Sequence, residues 1–263
     1  GRAQLDGNPG KDAFQRRFAQ YYLHFLEKGE AMLRSPEQAR WMALMEAEYE
    51  NIGIALNWLL ENDTSGACRL GARFWRFFLI RGFLREGLDM LKTLLSTPVP
   101  EKWIQAKLLE GAGVLSHNMG NNLAARTYFR QCLDIWETLQ DNTEIIKALN
   151  NAAWGEWRIG NYDQTVSYSE KALRLAEAIN HQHERAKSLN NLAWIHLSRG
   201  LNEKAEALQR EILRVHQEND NARGIAFAKA NLGWALIQTG KGIEAEQMID
   251  DAIRQFKELK DRQ

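Results

Sequence analysis

The chain has 263 residues, with 34 basic and 34 acidic side chains that cancel, so no whole-molecule field draws it to nucleic acid or to an anionic membrane. Apolar residues make up 44% and charged residues 26%, which suits a packed core under a water-facing surface. The most apolar run, 74–84, is interrupted by Arg76 and Arg81, so no membrane span is expected, and Cys68 and Cys132 form no CxxC pair, so neither a disulfide framework nor a zinc site is expected and a reducing cytoplasm is the expected location.

The chain opens at Gly1 rather than at methionine, and residues 1–10 are polar and aperiodic. They read as a disordered lead or processing remnant on a piece of a longer protein. Segment 11–97 reads as N-terminal helical pairs. Residues 12–33 and 37–62 each carry helical periodicity, and between them Ser35, Pro36 and Gln38 suit the N-cap, N1 and N3 positions of a helix. A second pair, 66–81 and 83–96, is joined at Gly82, and Thr97 to Pro100 breaks the chain. Gly82 lies 38 residues before Gly120, so this pair reads as a degenerate repeat. Within it, Arg69, Arg73, Arg76, Arg81 and Arg85 interleave with Phe74, Trp75, Phe77, Phe78 and Phe83. One reading is a contact with nucleic acid or another domain. The other is a buried helix pair with arginines reaching out from its edge, which the density of aromatics favours. Direct nucleic-acid contact is therefore not expected.

From residue 101 to 263 the chain keeps a period. Gly120, Gly160, Gly200 and Gly240 recur every 40 residues, as do Trp154, Trp194 and Trp234, and Asn151, Asn191 and Asn231. Ala125, Ala205 and Ala245 share a column with Thr165. Leu133, Leu173 and Leu213 share one with Ile253. Each period holds two helical patterns separated by a glycine suited to the left-handed residue after a helix. Ala153 and Ala172 mark where paired helices approach closely. Self-similarity at this scale indicates a repeat array.

The segments 149–173, 189–213 and 229–253, with 109–133 as a weaker copy, resemble tetratricopeptide repeats. The tyrosine after Gly160-Asn161 and the closing Lys171-Ala172-Leu173 carry the likeness. The resemblance implies an all-α, right-handed superhelical solenoid of antiparallel helix pairs. The family's usual period is 34 with a proline ending the second helix; here that position is Glu137, Glu177, Gln217 and Lys257, so the second helix is free to run on. Upstream, residues 18–62 and 69–91, through Tyr22, Trp41, Glu46, Glu48, Asn51, Ala55, Leu56, Trp58, Trp75, Arg76, Gly82 and Gly87, resemble the segment of bacterial STAND ATPase and LuxR-type transcriptional regulators that precedes their repeats. That resemblance implies a sensor or interaction module of a signal-transduction regulator, in contact with other domains of its own full-length chain. The alternative is a standalone scaffold that binds a peptide segment in its concave groove.

No catalytic, cofactor or metal site is expected, and the chain does not read as an enzyme. Gly240-Lys241-Gly242 lacks the spacing of a phosphate-binding loop. His181 and His183 are two apart in a turn, which suits a surface better than a metal. The candidate binding residues are Lys147, Asn151 and Trp154, then Lys187, Asn191 and Trp194, then Asn231 and Trp234. Residues three and four apart share a helical face, and an asparagine offers both a donor and an acceptor to an extended backbone. The expected ligand is a protein, a peptide or a small-molecule inducer in the concave groove. For the tryptophans, packing between repeats is the alternative. For the asparagines it is a cap or a bridge to the neighbouring helix. Ile249, Ile253 and Phe256 form an apolar face on the last repeat, through which self-association is expected unless a further repeat covers it.

Overall fold

The computed structural model describes residues 9–32, 37–99 and 101–261. Among the described residues there are thirteen helices and no strand, and no helix is long and apolar enough to cross a membrane. The chain divides into two compact units, Gly1–Ile135 and Trp136–Gln263.

The first unit begins with α1 (Pro9–Met32), which starts earlier than residue 12 because a proline's fixed φ suits the first helical turn. The remaining lead residues, and Ser35 and Pro36 with their expected capping role, lie outside the described residues. The single helix expected over 37–62 is instead two, α2 (Gln38–Ala47) and α3 (Tyr49–Asn62). Glu48 at the joint has φ −99° and ψ 8°, and its carboxylate accepts from Tyr22 Oη at 2.5 Å and Asn51 Nδ2 at 2.8 Å. The break is tied to a residue on α1, beyond the reach of helical periodicity.

Helices α4 (Thr64–Arg81) and α5 (Leu84–Leu95) turn at Gly82, with φ +79°. Phe74, Trp75, Phe77 and Phe78 are buried, with Phe77 stacked on Tyr49 at 5.5 Å and on Phe74 at 5.1 Å. Three of the arginines, Arg73, Arg76 and Arg81, pair with acids at the edge. Arg73 reaches Glu27 and Glu30 at 3.6 Å each, and Arg76 lies 3.7 Å from Glu110. Arg81 pairs with Glu46. The basic run is thus the rim of a packed helix pair. Thr97 Oγ1 donates to Leu94 O at 2.7 Å where α5 ends. Helix α6 (Lys102–Asn118) follows, and α7 (Asn122–Leu139) crosses into the second unit.

The second unit is a run of helix hairpins: α8 (Asn142–Arg158) with α9 (Tyr162–Ala178), α10 (Gln182–Ser198) with α11 (Asn202–Glu218), and α12 (Ala222–Gln238) with α13 (Gly242–Asp261). Ala153 and Ala172 are fully buried between α8 and α9, as close approach requires. All the periodic glycines, Gly120, Gly160, Gly200 and Gly240, have positive φ. A second set of left-handed residues keeps the same step but is not glycine: Gln140 (φ 58°), Asn180 (53°) and Asp220 (48°). Each sits between repeats, just before the residue that caps the next first helix. Asp141 Oδ1 accepts from Glu144 N at 3.1 Å, and Asn221 Oδ1 from Gly224 N at 2.9 Å. Between them in register, His181 Nδ1 accepts from Glu184 N at 3.4 Å.

A left-handed residue with a Cβ costs about 1–2 kcal/mol, less for asparagine or aspartate. Gln140→Gly is therefore expected to stabilise the protein by about 0.5–1 kcal/mol after the extra freedom glycine gives the unfolded chain. Asn180→Gly is expected to gain less. Thermal unfolding followed by circular dichroism checks both; a lower melting temperature for Gln140→Gly would mean that the strain is relieved elsewhere.

Candidate binding face of the first helices

The predicted residues fall on the first helices of three successive repeats. On α8 they are Lys147, Asn151 and Trp154; on α10, Lys187, Asn191 and Trp194; on α12, Asn231 and Trp234. Their spacing puts each set on one stripe.

The lysines are engaged. Lys147 Nζ lies 2.9 Å from Glu144 Oε1, and Lys187 Nζ 2.9 Å from Glu184 Oε1. On α12 both partners change, to Gly224 and Phe227. Phe227 meets Phe256 of α13 edge-on at 4.9 Å, with Arg223 5.9 Å above its ring. Beside it, Ile249 is half-buried and Ile253 exposed.

The asparagines bridge between repeats. Asn191 Nδ2 donates to the backbone carbonyl of Asn150 at 3.1 Å, and Asn231 Nδ2 to Asn190 Oδ1 at 3.1 Å. Each thus spends an amide N–H on the preceding repeat. Asn151 is half-buried on the same stripe.

Behind this stripe lies a buried polar network that the periodic columns do not single out. Asn150 Nδ2 donates to Glu184 Oε2 at 3.0 Å and to Glu184 O at 3.1 Å, and Ser188 Oγ donates to Asn150 Oδ1 at 2.8 Å. Burial pushes the Glu184 carboxyl up, but the Lys187 charge and the Lys187 and Asn150 hydrogen bonds outweigh it and hold it below the usual carboxylate range. One period on, Asn190 Oδ1 accepts from Gln209 Nε2 at 3.1 Å as well as from Asn231. The clue in the sequence is the doublet Asn150-Asn151 repeated as Asn190-Asn191, whose first members, Asn150 and Asn190, enter the network.

The tryptophans divide. Trp154 is 38% exposed and Trp234 50%, whereas Trp194 is half-buried beside Trp157, their ring centroids 5.8 Å apart. Trp157 belongs to no periodic column, so it was invisible to a reading based on the 40-residue step.

At the turn edge, His216 packs against the first turn of α12. Its Nδ1 is 3.3 Å from Asn221 Nδ2, and a Cβ on Gly224 would come within 2.4 Å of it. Burial holds this imidazole below the usual histidine range. The neutral ring is then favoured in the folded state, so its contribution is complete above the unfolded pKa of about 6.5 and is lost as pH falls below it. The melting temperature is expected to drop between neutral and acid pH, and His216→Gln to flatten part of that drop. An unaltered pH profile in the variant would assign the loss to other groups.

No curated protein matches the chain. A tetratricopeptide-repeat family model matches residues 105–178 and 144–218, so the chain carries repeats of this kind there. Among solved structures, a Rap protein complexed with competence and sporulation factor aligns at TM-score 0.68 and 18% identity, over 92% of this chain and 67% of that one. Aspartyl phosphate phosphatase F from Bacillus subtilis aligns at 0.64 and 15%, over 94% and 74%. A STAND protein with a tetratricopeptide-repeat sensor from Pyrococcus horikoshii aligns at 0.60 and 17%, over 90% of this chain and 39% of that one. At these identities the likeness is one of fold.

Proposed function

We propose that this repeat array is an interaction module that binds an extended peptide segment of a partner protein along the face of α8, α10 and α12, and that it acts as the sensor part of a bacterial signal-transduction regulator. The observation that carries the binding reading is the pair Trp154 and Trp234, large indoles held in one register and left 38% and 50% exposed. Tryptophan is the residue most often found at the energetic centre of interfaces. The half-buried asparagines between them hold that register by bridging the repeats. The regulator role is supported by the resemblance of residues 18–91 and by the fold shared with a STAND sensor.

The test is calorimetric titration with the partner protein recovered by crosslinking. Trp154→Ala and Trp234→Ala are each expected to weaken binding by about thirtyfold, as loss of an interface anchor worth about 2 kcal/mol does, with the melting temperature nearly unchanged. Equal binding by the doubly substituted and original proteins would move the site off this face.

A further inference from the structure

The 40-residue register is broken at one aromatic position on this face. Residue 157 is tryptophan, where its counterparts are His117, Leu197 and Ile237. The Trp157 ring stands 5.8 Å from that of Trp194, their planes inclined at 39°. Its Nε1–H donates to Ser198 Oγ at 3.1 Å, and Ser198 in turn donates to the Trp194 carbonyl at 2.9 Å. One indole from α8 and one from α10 are therefore held together, with the polar edge of Trp157 already satisfied. The exposed Arg158 guanidinium lies 5.7 Å over the Trp157 ring, and Trp154 stands one turn back on α8.

These distances decide what kind of group the pair receives. A ring inserted between two aromatic faces needs about 7 Å between them, twice the contact separation of carbon atoms. At 5.8 Å there is no slot, so a ligand ring would rest on the exposed part of the two half-buried indoles as on a floor. A compact, rigid apolar ring resting on top fits such a floor, and proline in an extended helix is the peptide group that meets aromatic surfaces this way at low entropic cost. The charge at the rim sets the neighbour. Arg158 repels a lysine- or arginine-rich proline segment and attracts a carboxylate.

We infer that Trp157, Trp194 and Arg158 form a subsite for a proline flanked by an acidic residue in the bound peptide. The inference rests on the peptide-binding reading above, and narrows the ligand class. It also explains why this repeat departs from the leucine and isoleucine that the two following repeats carry at this position.

The experiment uses three capped peptides, Ala-Pro-Pro-Asp-Glu-Ala, the same with alanine for both prolines, and the same with lysine for both acids, titrated into the full chain by calorimetry and tryptophan emission. The first is expected to bind at least tenfold more tightly than either comparator. Trp157→Leu, which installs the residue of the next repeat at Leu197, is expected to abolish the preference for proline while leaving the melting temperature nearly unchanged. Arg158→Glu is expected to reverse the preference for acid. Trp234→Ala, two periods along, is expected to weaken all three peptides alike. Equal binding of the proline and alanine peptides, with Trp234→Ala weakening both, would overturn the subsite and leave the face standing. Absence of binding by all three at about 1 mM would overturn the subsite and the peptide reading together.

Discussion

Asn150→Ala is expected to destabilise the second unit by about 3 kcal/mol. Its side chain donates to the Glu184 carboxylate and to the Glu184 carbonyl, and accepts from Ser188. Truncation leaves the charged Glu184 Oε2 without this donor in a site where Glu184 and Ser188 are almost wholly buried, while Ser188 Oγ keeps its bond to the Glu184 carbonyl at 3.0 Å. An unsatisfied buried neutral group costs about 1–3 kcal/mol, and a charged one more. The Lys187 ammonium stays on the other carboxylate oxygen, which keeps the loss from being larger. Glu184→Gln is expected to be milder, because the demand for a charge-matching partner disappears with the charge. The double substitution Asn150→Leu with Glu184→Leu is expected to recover much of the loss, since replacing a whole buried polar cluster by apolar groups is often nearly neutral. Chemical denaturation of the single and double variants measures this coupling. Additive costs in the double variant would show that the two residues act independently.

Phe77→Ala is expected to cost about 3–5 kcal/mol, the usual range for emptying a buried phenylalanine site. Phe77 is fully buried, stacked on Phe74 at 5.1 Å and Tyr49 at 5.5 Å and edge-on to Phe78 at 5.8 Å. The rings around it are too rigid to collapse into the gap. Phe83, on the same cluster but exposed, serves as the control, and Phe83→Ala is expected to cost much less. Equal losses at the two positions would mean that the cluster acts as surface cover and not as core.

The helices, the hairpin turns and the period were legible because each depends on residues close in sequence. A glycine two residues before a new helix, or an alanine where two helices meet, carries its reason with it. The break at Glu48 was not legible, because it is tied to Tyr22 on another helix. The left-handed turns between repeats were missed for a different reason. Their residues, Gln140, Asn180 and Asp220, share a backbone conformation that asparagine and aspartate tolerate, but the residue changes from repeat to repeat and forms no identical column. At the candidate site, the stripe of Lys147, Asn151 and Trp154 and its repeats was predicted from spacing alone. Its division of labour was left between a groove contact and, for the asparagines, a bridge to the neighbouring helix. Asn191 and Asn231 turn out to bridge neighbouring repeats, and the paired indoles of Trp157 and Trp194 combine one periodic residue with one that is not. Periodicity shows which face a residue occupies; what it touches on the next repeat depends on positions some forty residues away, read in three dimensions.

The Asn150–Glu184 network also bears on how such a gene can lengthen or shorten. Removing one whole period preserves the helical frame wherever the cut falls, yet the cuts are not equivalent. Loss of residues 151–190 joins Asn150 to Asn191 and discards Glu184 with the segment. Loss of 185–224 joins Glu184 to Ile225 and puts Phe227 and Ala228 where Lys187 and Ser188 had been, leaving a buried carboxylate without its cation. Recombination between repeats of this array thus has permitted and forbidden breakpoints, a grammar finer than the period itself.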